Sequence, residues 1–186
     1  LSSRNYQAPI AERLEKGIVV LDSACGAGAH WSKAMGEKYP SSVFTGVDIS
    51  NVFPSESFSN IKFKMGNITK SIPFLDETFD FAFQKLLGLA FTSEEWDSNL
   101  KELHRVLKPG GYIELSEIYG VSAHNTGPLL SQVMHAFKTV SSSKSIIVDR
   151  APLELENFLI KAGFTDQTVI VKEMPLNHSE HGKLYW

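Results

Sequence analysis

Apolar positions along the 186-residue chain follow two different spacings. Short runs that are either continuously apolar or alternate with polar residues predict β-strands, and stretches with apolar residues three or four apart predict the helices between them. The strands are predicted over residues 18–22, 43–48, 61–67, 79–85, 112–117 and 168–174. Strands that alternate with helices in this way favour a doubly wound α/β fold, with a mainly parallel sheet and right-handed crossovers.

The clearest helix is predicted over residues 92–107. Its start, TSEEW, has the capping-box pattern, and Pro-Gly-Gly follows its last turn. On this helix His104 and Arg105 are expected to face solvent. A later amphipathic helix, after the fifth strand, is extra relative to a minimal alternating fold. Its apolar residues Met134 and Phe137 are expected to pack in the core.

Composition narrows the classes of function. The chain has 42% hydrophobic and 21% charged residues, a formal net charge of -3 and a sequence pI near 6.1. Because no basic cluster is present, we expect neither nucleic acid nor a membrane as a partner. The single cysteine, Cys25, excludes an internal disulfide, and no apolar run approaches the roughly 20 residues that cross a bilayer. We therefore expect an intracellular protein, cytoplasmic or nuclear, whose oligomeric state stays open.

Polar side chains follow the predicted strands where each one ends. They are Asp22, Asp48, Asn67, Gln84 and Glu117. In an open parallel sheet, ligands bind outside the carboxyl ends of the strands, so we expect a ligand site at this edge. The first strand also enters a glycine turn, where backbone N–H groups can approach a nucleotide closely. Asp48 follows Gly28 by 20 residues, the spacing of a carboxylate that binds ribose hydroxyls.

The glycine turn itself discriminates between nucleotides. A dinucleotide site has the pattern G-x-G-x-x-G, but the last position counted from Gly26 is Trp31, whose indole would block close packing of helix on strand. The pattern acid-x-G-x-G-x-G fits better, running from Asp22 to Gly28 with Ala24 in place of the first glycine. This segment resembles motif I of the Rossmann-like, S-adenosylmethionine-dependent methyltransferases.

The resemblance extends over nearly the whole chain. GVDIS is similar to the family's second motif, and MGNITKSIPFLDETFDFAFQ is similar to its G-[DN]-x(n)-LPF-x-D-x-[ST]-FD segment. ELHRVLKPGGYIELSE is similar to the R-x-LKPGG-x-[LI] block that joins a helix to a strand. In finer detail, YPSSVFTGVDIS and FQKLLGLAFTSEEW look most like the fungal branch of the family, which includes secondary-metabolism and regulatory methyltransferases.

The resemblance implies a three-layer αβα fold with a seven-stranded-type sheet, in which an antiparallel seventh strand lies beside the fifth. The chain ends soon after the predicted sixth strand, so we expect the final strand to be missing and the chain to be a truncated form of a longer methyltransferase. We expect one domain. It comprises a cover segment at 1–17, a cofactor-binding core at 18–117, an acceptor-side insertion at 118–150, and the last helix with the sixth strand at 151–186.

The family's roles transfer to the positions that match its motifs. The methionine part of the cofactor would meet the glycine turn, and the ribose would meet Asp48. Adenine would pack on Ile49, receive the backbone N–H of Ile68, and donate its amino group to the side-chain carbonyl of Asn67. The Gln84 region would line the methionine amine and the path to the acceptor. The implied cofactor-binding residues are Asp22, Ser23, Ala24, Cys25, Gly26, Gly28, Asp48, Ile49, Asn67, Ile68 and Gln84, with S-adenosyl-L-methionine as cofactor and S-adenosyl-L-homocysteine as product.

Methyl transfer from a sulfonium is an in-line displacement, for which a protein mainly supplies proximity, alignment and exclusion of water. A general base is required only where the acceptor loses a proton. His124, in the loop after the fifth strand, is the candidate catalytic residue, with His30 and Glu117 as weaker candidates. We expect a small-molecule acceptor of undetermined class. No metal site is predicted, because the H-x-x-H pair at 178–181 has no third ligand at a recognisable spacing.

Three classes of function stay open at the level of sequence. The first is a methyltransferase. The second is a regulatory or interaction protein that binds S-adenosylmethionine with little or no turnover, which a missing strand and an exposed sheet edge would favour. The third, a nicotinamide-dependent oxidoreductase, has the least support because Trp31 occupies the third glycine position.

Overall fold

The computed structural model describes residues 5–56, 58–118, 127–147 and 151–172. The strands are β1 (Val19–Ser23), β2 (Val43–Asp48), β3 (Ile61–Met65), β4 (Phe79–Lys85) and β5 (Leu107–Ser116). The helices are α1 (Ala11–Lys16), α2 (His30–Lys38), α3 (Ser93–Val106), α4 (Pro128–Ser143) and α5 (Ala151–Ala162). Five of the predicted strands and the alternation with helices are therefore present.

The strands form one sheet in the order β3-β2-β1-β4-β5, and every neighbouring pair is parallel. The chain moves outward from β1 to β3 and then returns to place β4 on the other side of β1. All carboxyl ends lie at one edge, and the reversal of strand order puts a ligand crevice outside β1 and β4. The predicted doubly wound α/β fold is confirmed.

Successive residues of the central strands divide the core into two layers. Val20 and Phe81 pack with residues of α1 and α2 on one face of the sheet. Leu21 and Ala82, each one position further along, pack with α3 on the opposite face. Because side chains alternate across a strand, a sheet covered by helices on both faces needs continuously apolar strands. The result is the three-layer αβα arrangement.

Trp31 occupies the place in α2 that a dinucleotide fold gives to glycine. Its indole stacks flat on Phe83, with ring centroids 4.1 Å apart, and its Nε1 donates to the carbonyl of Asn5 at 2.8 Å. The segment before α1 is also tied to β5, since Glu114 accepts the Ala8 N–H at 2.9 Å. The indole thus fills the space between helix and sheet and holds the N-terminal segment.

Arg105 does not face solvent as predicted. Its guanidinium donates to the carbonyls of Ile72 and Phe74, both at 2.9 Å, and forms ion pairs with Glu102 and Asp76, both at 2.7 Å. The segment between β3 and β4 is thereby fastened to the last turn of α3. Periodicity alone misses such a role, because a long side chain can reach past the polar side of its own helix.

Two expectations for the later part of the chain are wrong. The sixth strand is not formed over 168–172, the described part of its predicted range. A strand requires a neighbour for its backbone hydrogen bonds, and within the described residues β5 is the edge of the sheet. Phe137, expected in the core, is 40% exposed, because α4 makes no extensive contact with another described element. Across the described ranges, no helix is long and apolar enough to span a membrane.

Candidate functional site

The turn after β1 opens onto the carboxyl edge of the sheet. Four of its residues have a positive φ: Ala24 (+56°), Gly26 (+68°), Gly28 (+74°) and Ala29 (+43°). The Cys25 N–H donates to the Val47 carbonyl at 3.0 Å, which fixes the turn to β2. Among the described residues, apart from the two adjacent to Gly26, no atom lies within 4 Å of the point where a Cβ on Gly26 would stand. Space for a ligand therefore opens directly in front of the turn.

Asp48 connects the ends of β1 and β2. Its Oδ2 accepts the Gly26 N–H and its Oδ1 accepts the Ser50 N–H, both at 2.9 Å. Each carboxylate oxygen can accept two hydrogen bonds, so the fixed carboxylate retains acceptor capacity for a ligand hydroxyl. The spacing from Gly28 that predicts a ribose carboxylate thus corresponds to direct contact with the glycine turn.

Asp22 is buried between β1 and α2. Its carboxylate is almost fully buried and accepts the Ser32 hydroxyl at 2.6 Å, which links β1 to the first turn of α2. Burial raises the pKa of Asp22 to about 6, against the lowering effect of the Ser32 hydrogen bond. The Asp22 side chain is thus occupied by α2, and its role in binding the cofactor stays a prediction.

Cys25 and Gly46 fit together behind the turn. A Cβ on Gly46 would lie 2.9 Å from the Cys25 Sγ and 2.8 Å from the ring of Phe63, so only glycine leaves room there. Burial raises the pKa of the Cys25 thiol to about 12, which keeps it protonated at neutral pH. The thiol fills the space behind the turn.

The turn after β3 also lies at the carboxyl edge of the sheet. The Gly66 N–H donates to the Asp48 carbonyl at 2.9 Å, which keeps this turn beside β2. The side-chain carbonyl of Asn67 already accepts the Thr69 N–H at 3.0 Å and the Thr69 hydroxyl at 2.8 Å. A ligand amino group would have to displace the hydroxyl, which can rotate. Ile68 is buried, whereas Ile49 at the end of β2 is 64% exposed.

Gln84 and Ser23 are fully buried, with their side chains hydrogen-bonded to each other at 2.8 Å. Gln84 also contacts Asn99 of α3, so its side chain points into the core and not into the crevice. Sequence reasoning missed Asn99. The available signal was a polar residue on the apolar stripe of the best-defined helix, next to Leu100 and three positions after Trp96.

The candidate bases differ in their surroundings. Glu117 accepts the N–H groups of Leu87 and Gly88, at 2.8 and 2.9 Å, and burial raises the pKa of its carboxyl. It anchors the loop after β4. His30 is exposed at the start of α2, beside Gly28. His124 lies outside the described residues, as do both histidines of the H-x-x-H pair, and no cluster of potential metal ligands occurs within the described ranges.

Comparison with known proteins identifies the family. Residues 20–111, which contain the glycine turn, Asp48 and the LKPGG segment, match the methyltransferase domain. These residues form a methyltransferase domain. The chain is 27% identical over 171 residues to methyltransferase pytC of Aspergillus terreus, in an alignment that covers 88% of this chain and 50% of pytC. The chain spans about half the length of the curated methyltransferases it matches.

Solved methyltransferase structures share the fold. A Methanococcus maripaludis protein assigned to the S-adenosyl-L-methionine-dependent methyltransferases superposes with a TM-score of 0.58 at 17% identity, covering 88% of this chain and 76% of that one. Human N-acetylserotonin methyltransferase, solved in complex with S-adenosylmethionine, gives a TM-score of 0.56 at 23% identity, covering 80% and 42%. These likenesses confirm the Rossmann-like methyltransferase fold.

The left-handed conformation of Ala24 leads to a stability prediction. A non-glycine residue in this region costs about 1–2 kcal/mol, whereas glycine loses about 0.4–1 kcal/mol through the freedom it adds to the unfolded chain. We therefore expect Ala24→Gly to raise the free energy of unfolding by about 0.5–1 kcal/mol, measured by urea denaturation. Ala27→Gly is the matched control, because Ala27 is exposed and lacks a positive φ. That variant should be less stable than the unaltered chain; equal effects of both substitutions would contradict the strain at Ala24.

Proposed function

We propose that this chain binds S-adenosylmethionine along the carboxyl edge of its sheet and transfers the methyl group to a small-molecule acceptor. The observation that carries the proposal is the position of Asp48, whose carboxylate is fixed by the N–H groups of Gly26 and Ser50. A carboxylate held against a glycine turn at the reversal of strand order suits a ribose with its two hydroxyls. Membership of the methyltransferase family supports the assignment.

The residues along this edge fit the proposed cofactor. The open space in front of Gly26 would take the methionine part, and the exposed side chain of Ile49 offers an apolar surface for adenine. Asn67 would accept the adenine amino group once the Thr69 hydroxyl turns away. The backbone N–H of Ile68 would donate a hydrogen bond to the adenine ring.

Bound in this position, S-adenosylmethionine supplies a methyl group activated by a sulfonium. The residues of this chain then have to orient the methyl group toward the acceptor and shield both from water. Such positioning lowers the reaction barrier by roughly 7–11 kcal/mol in favourable cases. The rigid glycine turn and Asp48 would hold one end of the cofactor in a fixed place. The loop after β4, anchored by Glu117, lies at the end of a strand beside the crevice, where it can wall the path to the acceptor.

Calorimetric titration of the chain with S-adenosylhomocysteine tests the proposal. We expect one binding site with a dissociation constant in the micromolar range, and no detectable heat with NADH, because Trp31 closes the space that the third glycine leaves in a dinucleotide site. Binding of NADH without binding of S-adenosylhomocysteine would contradict the proposal and favour an oxidoreductase.

A further inference from the structure

A line of buried hydrogen bonds crosses the molecule beneath the crevice. The Ser23 hydroxyl donates to the Gln84 Oε1 at 2.8 Å, the Gln84 Nε2 donates to the Asn99 Oδ1 at 2.9 Å, and the Asn99 Nδ2 donates to the Ile68 carbonyl at 3.3 Å. Ser23, Gln84 and Asn99 are fully buried. Each of these bonds therefore matters for stability, because a buried polar group left without its partner destabilises the folded state.

The Ile68 carbonyl determines which group donates and which accepts in each of these hydrogen bonds. The Ile68 carbonyl can only accept, so Asn99 must turn its amide nitrogen toward it and its oxygen toward Gln84. Gln84 must then present its own nitrogen to Asn99 and its oxygen to Ser23. The hydroxyl of Ser23 has to be the donor. Both amide orientations are thus fixed by their hydrogen-bond partners.

The line joins parts of the site that the sheet leaves separate. Ile68 lies in the turn after β3, and Gln84 lies near the end of β4. In the strand order β2 and β1 stand between β3 and β4, so no ladder of backbone hydrogen bonds connects these two strands. The side chain of Asn99, on α3, is hydrogen-bonded both to the Gln84 side chain and to the Ile68 carbonyl. It links the turn after β3 to the end of β4 by side-chain hydrogen bonds.

We infer that Asn99 is a positioning residue that sets the spacing between the two halves of the cofactor site. This inference rests on the proposed function, in which the turn after β3 meets adenine and the edge near β1 and β4 meets the methionine part. A ligand that spans both halves depends on their separation, since a displacement of even 1 Å weakens contacts made by a preorganised site. Asn99 touches no ligand itself and acts through Ile68 and Gln84.

The variant Asn99→Leu, similar in shape but without hydrogen-bonding groups, tests this role. Asn60→Leu is the matched control, because the Asn60 Nδ2 donates to the carbonyls of Gly36, Tyr39 and Ser42 near the start of β3, at the opposite edge of the sheet. Both variants should unfold at a lower temperature than the unaltered chain. Well below both unfolding temperatures, we expect the dissociation constant for S-adenosylhomocysteine to rise at least about tenfold in Asn99→Leu and less than about twofold in Asn60→Leu.

The outcomes separate this inference from the proposed function. If the unaltered chain does not bind S-adenosylhomocysteine, the proposed function fails. If the unaltered chain binds and Asn99→Leu binds equally well, only the positioning role of Asn99 is overturned. An equal loss of affinity in Asn60→Leu also overturns it, because any loss of stability would then have the same effect.

A measurement on the unaltered protein covers the case in which Asn99→Leu does not fold. In isotope-labelled protein, the side-chain amide signals of Asn99 and Gln84 are expected to shift when S-adenosylhomocysteine saturates the chain, because both groups brace the two halves of the occupied site. The side-chain amide signal of Asn60 is expected to stay in place. Saturation without a shift at Asn99 and Gln84 would overturn the inference.

Discussion

Replacing Asp48 with alanine is expected to weaken binding of S-adenosylhomocysteine by at least about a hundredfold. Hydrogen bonds to a charged group contribute about 1.5–3 kcal/mol each, and the ribose would make two of them with this carboxylate. The substitution also releases the Gly26 and Ser50 N–H groups, so the glycine turn loses one of its hydrogen bonds to the end of β2. Both effects lower the affinity for S-adenosylhomocysteine, and calorimetric titration measures their sum.

Asp80→Ala is the matched control for Asp48→Ala. Asp80 also accepts a backbone N–H, from Val19 at 2.9 Å, and pairs with Lys108 at 3.0 Å, but it lies near the amino ends of β1 and β4. We expect Asp80→Ala to lose stability and to keep the affinity of the unaltered chain. If Asp48→Ala bound as tightly as Asp80→Ala, the ribose would not lie at Asp48.

Asp22→Asn is expected to change the pH dependence of stability. The pKa of Asp22 is raised from 3.8 to about 6 because burial penalises the charged form. The folded state therefore holds this proton more tightly than the unfolded state. Between about pH 4 and pH 6 the unfolded chain binds fewer protons, so the free energy of unfolding falls as the pH rises. A shift of this size corresponds to about 3 kcal/mol.

Urea denaturation at a series of pH values isolates this contribution as the difference between Asp22→Asn and the unaltered chain. The asparagine carbonyl can still accept the Ser32 hydroxyl, and it carries no charge to bury. We expect the two proteins to be similarly stable near pH 4 and the variant to be about 3 kcal/mol more stable above pH 7. A difference that stays constant with pH would show that Asp22 titrates normally.

Ser32→Ala extends this test. The Ser32 hydroxyl lowers the pKa of Asp22 by stabilising the carboxylate, so its removal should raise that pKa further. The decline in stability is then expected to continue above pH 6. An unchanged pH range would mean that the hydrogen bond from Ser32 has no influence on the titration.

The sequence predicted those features of the proposed site whose local geometry follows from the order of residues. The glycine turn, the acid 20 residues later and the polar ends of the strands converge on one edge, because parallel strands align their carboxyl ends. Trp31 was informative because a bulky side chain at a close-packed position argues against a dinucleotide. The two layers of the core follow likewise from continuously apolar strands.

Contacts between residues distant in sequence were not predictable in this way. The buried line through Asn99 depends on the packing of α3 beneath β4, which no local pattern specifies. Arg105 fastens a loop some 30 positions earlier, a role invisible to helix periodicity. The apolar run within 168–174 predicted a strand, yet such a run gives only the tendency and not the neighbour that must complete the hydrogen bonds.

A crystal structure of the chain with S-adenosylhomocysteine is the most direct test of the proposed site. We expect both ribose hydroxyls within about 3 Å of the Asp48 carboxylate oxygens, the homocysteine part in front of Gly26, and adenine against Ile49. A ligand bound elsewhere on the chain, or one with its ribose away from Asp48, would contradict the proposed site.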